Sequence, residues 1–162
     1  METTDIITTL AEIAIALVGF SAIVVVLNPR PIRDWAESDQ FNFRILVQLS
    51  AIVVVFCILP FGTHILLDDD QAWKSALLIY GIVHVIDLLS FIIRFAKHVP
   101  RANRILPFLG MIVAVSQIIV AMLAGPKLVE LTYLVALVWH LFVAFISFVI
   151  LVYGFGERSN TS

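Results

Sequence analysis

Four ionisable side chains lie inside long apolar stretches of the sequence, and they are the first candidates for chemistry: Glu12, His84, Asp87 and His140. An ionisable group placed at the centre of a membrane-spanning helix costs about 2.5 to 3.5 kcal/mol on insertion scales. Such a residue therefore indicates a function or a partner until shown otherwise. The amide of Gln117 is a less costly polar group in the same kind of surroundings.

These polar groups are predicted to share one level of a membrane. At a rise of about 1.5 Å per helical residue, Glu12 lies about 9 Å below the outer end of its span and His140 about 13 Å. On the same scale His84 lies at about 14 Å and Asp87 at about 18 Å. Gln117, counted from the opposite side, reaches a similar depth. The sequence thus predicts a polar layer between the outer third and the midplane.

His84 and Asp87 are three residues apart, so they share one face of a helix and can pair. Three interpretations of the polar layer are open at this point. The groups can hydrogen-bond one another and hold the helices in register, or they can move protons or ions. In the third interpretation, His84 and His140 lie at nearly equal depth on different helices and ligate a b-type haem.

The first apolar stretch has its own pattern, because small residues recur along it and allow helices to approach closely. Glu12 lies close to the edge of this stripe, which consists of Ala11, Ala14, Val18, Gly19 and Ala22. If several copies of this helix surrounded an axis, an acidic outer end would be followed by an apolar length and a basic cytoplasmic mouth. That order is typical of a cation pore. The residues concerned are Glu2, Asp5 and Glu12, then 15–26, then Arg30 and Arg33.

A second interpretation of the first stretch needs no pore. The small residues would pack this helix against its own neighbours, and Glu12 would pair with His84 or His140. Both interpretations stay open from the sequence alone.

The elements that must position these residues are transmembrane helices. Of the 162 residues, 61% are apolar and 14% charged, against roughly 25% charged in a soluble domain, and the mean hydropathy is +1.05. Crossing the hydrocarbon takes about 20 helical residues, and five stretches are long enough: 6–27, 43–66, 75–95, 105–124 and 131–153. We predict a single all-α transmembrane domain over residues 1–162, a five-helix bundle, with four helices if the short connection at 125–130 fails to separate the last two.

Orientation is predicted from the basic residues, which are enriched in cytoplasmic loops. Eight of the ten fall on one side: Arg30, Arg33, Arg44, Arg94, Lys97, Arg101, Arg104 and Arg158, leaving Lys74 and Lys127 on the other. This distribution places the N-terminus outside and the C-terminus in the cytoplasm. The expected location is the plasma membrane, or the inner membrane in a bacterium.

The function predicted from these patterns is a small homo-oligomeric channel for cations or protons, with Glu12 near its outer mouth. A chain of this size needs several copies to enclose an aqueous path. The alternatives are an electron-transfer subunit with haem b on His84 and His140, and a non-catalytic scaffold or accessory subunit. The net charge of −2 without a basic tract argues against nucleic acid. No hydrolase motif is present, so we expect neither an enzyme nor a metal site.

Overall fold

The structure is a computed structural model that describes residues 3–28, 30–95 and 105–159, with side chains described for 3–28, 30–93 and 105–154. Across these residues it is all-helical and contains no strand. The five long helices are α1 (Thr3–Leu27), α2 (Glu37–Leu66), α3 (Asp69–Phe95), α4 (Ile105–Leu123) and α5 (Pro126–Ser159), with a short 3-10 helix at Ile32–Asp34 between the first two. Each of the five is long and apolar enough to cross a membrane.

The predicted five spans are confirmed, and all of the helices except α4 extend beyond the apolar stretches that predicted them. Helix α4, the shortest at 19 residues, is about 28 Å long at 1.5 Å per residue, close to the hydrocarbon thickness of about 30 Å. Helices α2 and α3 begin six residues before the apolar stretches that predicted them, in segments with acidic side chains. Asp68 caps α3, because its Oδ1 accepts a hydrogen bond from the backbone N–H of Gln71 at 3.0 Å.

The separation of the last two helices, on which the count of five depended, is present. Helix α4 ends at Leu123 and α5 begins at Pro126, so only Ala124 and Gly125 lie between them. Proline suits the first position of a helix, because its fixed φ is helical and its missing N–H would have had no partner there. Two backbone N–H groups, of Leu128 and Val129, then bond the carbonyl of Gly125 at 3.1 and 3.2 Å.

The helices divide into two compact units. Unit 1 contains Met1–Cys57 and His140–Ser162, and unit 2 contains Ile58–Trp139. Helices α2 and α5 therefore contribute residues to both units.

In unit 1, α1 is buried along one side only. The buried side chains follow a spacing of three and four residues: Ile7, Leu10, Ala14, Leu17 and Ser21. A ring contact between Phe20 and Phe148, with centroids 6.1 Å apart, connects α1 with the second half of α5. Ser21 needs no outside partner, because its hydroxyl donates to the carbonyl of Val18 at 2.6 Å. The pattern is that of a helix attached to its unit by a single stripe.

In unit 2, α3 and α4 approach each other closely at Gly81. A Cβ on Gly81 would lie 2.9 Å from Ile118 Cγ1, 3.0 Å from Gln117 Cβ and 3.3 Å from the backbone nitrogen of Ile118. These separations are too short for a side chain, so the absence of one lets the two backbones meet. Gly110 on α4 is less crowded, since its nearest neighbour would be Leu88 at 3.4 Å.

Candidate functional site

Glu12 lies on the exposed side of α1. It is exposed, as are Asp5, Thr8, Ala16 and Gly19, whereas the buried stripe of α1 runs along the opposite side. Among the residues that the structure describes, none forms an ion pair or hydrogen bond with the Glu12 carboxylate. Within unit 1, Glu12 therefore does not pair with His140, and its pairing with His84, which lies in unit 2, stays a prediction.

Two threonines extend the polar surface around Glu12 and make it a surface of acceptors. The Thr8 hydroxyl donates to the carbonyl of Thr4 and the Thr9 hydroxyl to that of Asp5, both at 2.9 Å. Each hydroxyl proton is thus used within the helix, and only the oxygen lone pairs remain for an outside partner. We call Asp5, Thr8, Thr9 and Glu12 the acceptor face of α1.

The small residues of α1 differ in burial along the stripe that the sequence indicated. Ala14 is fully buried and belongs to the side that packs within unit 1. Gly19 and Ala22 are exposed, and Ala11 and Val18 are intermediate. The stripe therefore runs along the border between the buried and the exposed side of α1. Gly19, seven positions after Glu12, lies in line with it on the exposed side.

His84 and Gln117 meet in the interior of unit 2. His84 is 3% exposed and Gln117 is fully buried. The side-chain nitrogen Nε2 of Gln117 lies 3.3 Å from His84 Nδ1, within hydrogen-bond distance across α3 and α4. The close approach at Gly81, one turn before His84, brings Gln117 to this position. Two members of the predicted polar layer are therefore in direct contact.

Aromatic residues lie beside this pair, and of these the sequence placed Tyr80 on the same helix face as His84 and Asp87. Tyr80, one turn before His84, is fully buried, its ring centroid is 6.3 Å from that of His84, and its hydroxyl donates to the carbonyl of Ala136 on α5 at 3.2 Å. The ring of Tyr80 also contacts Tyr133 at 5.4 Å, and Tyr133 contacts Trp73 at 5.6 Å. The spacing of Tyr80 and His84, four residues apart, is the signal that joins them in advance.

This row of rings continues to the end of α2. The ring of His64 lies 5.5 Å from that of Trp73, and His64 Nε2 lies 3.5 Å from an oxygen of Asp69. The other ring nitrogen of His64, Nδ1, lies 2.6 Å from the carbonyl oxygen of Pro60, which also accepts a hydrogen bond from the Thr63 hydroxyl at 2.9 Å. Unit 2 thus contains a continuous line of ring contacts between His64 and His84.

Asp87 and His140 are the remaining interior members of the predicted polar layer. Asp87 is half-buried on α3, one turn beyond His84. His140 is 2% exposed on α5 and belongs to unit 1. The pairing of His84 with Asp87 stays a prediction.

The proposed basic mouth is a folded loop with exposed guanidinium groups. Trp35 is buried, and its indole N–H donates to the carbonyl of Arg30 at 2.8 Å. The Gln40 side chain donates to the carbonyl of Trp35 at 2.9 Å, which closes the loop onto the start of α2. Arg30 and Arg33 are exposed, and Arg33 lies 3.6 Å from Asp34 in a pair too exposed to contribute much stability.

Several residues used in the sequence argument lie outside the described part of the chain. They are Glu2, Lys97, Arg101 and Arg104, together with the side chains of Arg94 and Arg158. Within the described residues, no group of three or more His, Cys, Asp or Glu side chains could hold a metal ion.

The comparisons with known proteins add no relative to this picture. No protein-family model, no curated protein and no solved structure matches this chain.

Proposed function

We propose that this chain assembles into a homo-oligomer that conducts cations or protons, with the acceptor face of α1 towards a common axis. The observation that carries the proposal is the position of Glu12, exposed on the outside of a single chain and within a helix apolar enough to span a membrane. No described residue partners its carboxylate. Its partner therefore lies outside the described residues, and the proposal supplies one.

Lipid is a poor neighbour for that carboxylate. A charged group towards the middle of a bilayer costs about 2.5 to 3.5 kcal/mol on insertion scales, and this cost recurs in every copy of the chain. Around an axis, copies of Glu12 would instead meet water and a permeating cation. Closed rotational symmetry is the usual arrangement of such assemblies.

The chemistry of the acceptor face supports a cation over an anion. Asp5 and Glu12 supply carboxylates, and the hydroxyl protons of Thr8 and Thr9 are used by backbone carbonyls. Oxygen lone pairs and negative charge suit a partly dehydrated cation or a proton donor. Further along the same side, Ile23 and Val26 are exposed and would form an apolar constriction.

The orientation and location belong to the same proposal. The excess of basic residues on one side supports an N-terminus outside the cell and a cytoplasmic C-terminus, with Glu12 near the outer mouth and Arg30 and Arg33 at the inner one. The plasma membrane, or the inner membrane of a bacterium, is the location that goes with it.

Two other functions are kept as alternatives with distinct signatures. His84 and His140 are 3% and 2% exposed, so neither is a surface group. A b-type haem on these two histidines is the second candidate. A Soret band in the purified protein would support haem. An accessory subunit would co-purify with a partner protein in fixed ratio, whereas the channel requires a closed ring of this chain alone.

The proposal is tested by ion flux into liposomes that contain the purified chain. We expect K⁺ or H⁺ flux from the wild type, a several-fold loss with Glu12→Gln, and partial retention with Glu12→Asp, which keeps the charge. The matched control is Glu37→Gln, an exposed carboxylate at the start of α2 and before the apolar stretch. Wild-type protein without flux, or Glu12→Gln with undiminished flux, would overturn it.

A further inference from the structure

The side-chain oxygen of Gln117 is an acceptor enclosed within unit 2. Gln117 is fully buried, and no donor of the described part of the chain lies within hydrogen-bond distance of its Oε1. The other end of the same amide is held against His84 Nδ1 at 3.3 Å. The amide is therefore fixed in place by one of its two polar atoms while the other lacks a protein partner.

A buried carbonyl oxygen without a hydrogen bond is costly, and in native proteins the missing partner is commonly an ordered water. Turning the amide over does not remove the requirement. Oε1 would then face the imidazole and the NH₂ group would take its former place, leaving donors in need of an acceptor. Water satisfies either orientation, because it both donates and accepts.

The neighbouring tyrosine does not satisfy this oxygen. The ring of Tyr80 lies beside the same imidazole, with the centroids 6.3 Å apart, and the Tyr80 hydroxyl donates its proton to the carbonyl of Ala136 at 3.2 Å. That proton is therefore not available to Oε1 of Gln117.

We propose that Gln117, with Tyr80 and His84 beside it, forms a binding site for a water molecule inside unit 2. The site lies on α3 and α4, away from the acceptor face of α1, and its existence does not depend on the proposed channel. It makes the His84 region a hydrated point within an otherwise apolar part of the chain. A hydrated site at this depth exchanges protons with solvent, whereas dry packing of the two helices does not.

The test is water-edited solid-state NMR of the wild-type protein in lipid bilayers, with glutamine and alanine labelled with ¹⁵N. Magnetisation that starts on water protons reaches only groups in contact with water. The chain has four glutamines, Gln40, Gln48, Gln71 and Gln117, and the Gln117 resonance is identified by its loss in Gln117→Met.

Two backbone amides provide dry standards within the same helix. Ala114 and Ala121 are buried one turn to each side of Gln117, and exposed Gln71 is the wet standard. We expect the Gln117 side-chain amide to receive water magnetisation several-fold faster than the two alanine amides. A Gln117 amide as slow as Ala114 and Ala121, in a sample where Gln71 responds, would overturn the water site. Neither result depends on ion flux, so the water-site proposal can fail while the channel proposal stands.

Discussion

Gln117 reaches His84 because Gly81, one turn before the histidine, has no Cβ to hold the two helices apart. The amide-to-imidazole distance of 3.3 Å and the prospective Cβ contacts of 2.9 and 3.0 Å describe the same close approach of α3 and α4. The position of the polar pair thus depends on a glycine, which has no side chain of its own. A change at Gly81 is expected to disturb the pair without altering its chemistry.

Replacing Gly81 by alanine should destabilise the protein by about 1 to 3 kcal/mol, the usual cost of overpacking a core. The backbone nitrogen of Ile118, 3.3 Å from the new Cβ, cannot move aside as a flexible side chain could. The measurement is the reversible unfolding of purified protein in mixed detergent. Gly110→Ala is the matched control, since its nearest contact is an ordinary 3.4 Å. Equal stability of the two variants would contradict the argument.

Cysteine cross-linking should show that α1 meets a copy of itself on its exposed side. In a Cys57→Ala background, Ala16→Cys is expected to form a disulfide-linked dimer in membranes under mild oxidation. Ala14→Cys makes the same chemical change two residues away, on the fully buried side, and should remain monomeric. Cross-linking of neither variant, or of both alike, would count against α1 as the face between copies.

The proposed orientation is tested by labelling single cysteines in intact cells with a membrane-impermeant maleimide. Asp68→Cys, in the exposed turn before α3, should label from outside, and Arg33→Cys, in the exposed loop after α1, only after the cells are opened. Native Cys57 is 2% exposed, so it should give little background. The reverse pattern would place the acceptor face of α1 at the cytoplasmic end of the chain.

Ser50→Ala should leave the protein at least as stable as the wild type. Ser50 is fully buried on α2, and the described residues offer its hydroxyl no hydrogen-bond partner. Removing an unsatisfied buried polar group can recover about 1 to 3 kcal/mol. The comparison is Ser147→Ala, because that hydroxyl donates to the carbonyl of Val143 at 3.0 Å. If Ser50→Ala were less stable than Ser147→Ala, the Ser50 hydroxyl would have a hydrogen-bond partner in the membrane, which would contradict the prediction.

The helices could be predicted from the sequence because their signal is local. An apolar length near 20 residues specifies a spanning helix whatever its neighbours are, and the Gly125-Pro126 pair marked the last boundary correctly. Which residues share a face also follows from helix geometry, but which side of a helix is buried does not. The small-residue stripe of α1 contains Ala14, which is buried, and Gly19 and Ala22, which are exposed.

The site was harder to predict because it depends on contacts between helices. Depth along each helix placed His84 and Gln117 at one level, and they do meet. Depth could not show that Tyr80 and Tyr133 would be buried beside them. Burial is decided by rotation about the helix axis, and a nearly all-apolar sequence carries little information about that rotation.

The buried stripe of α1 has a consequence for the surface that this helix presents on its other side. Its spacing of three and four residues is a seven-residue repeat, the spacing that left-handed supercoils of helices use. Asp5, Glu12, Gly19 and Val26 repeat at the same interval on the exposed side. One extra residue inserted after Leu17 would turn the two halves of α1 by about 100° relative to each other. The carboxylate end and the apolar end would then no longer lie on one surface, although every side chain would still be present.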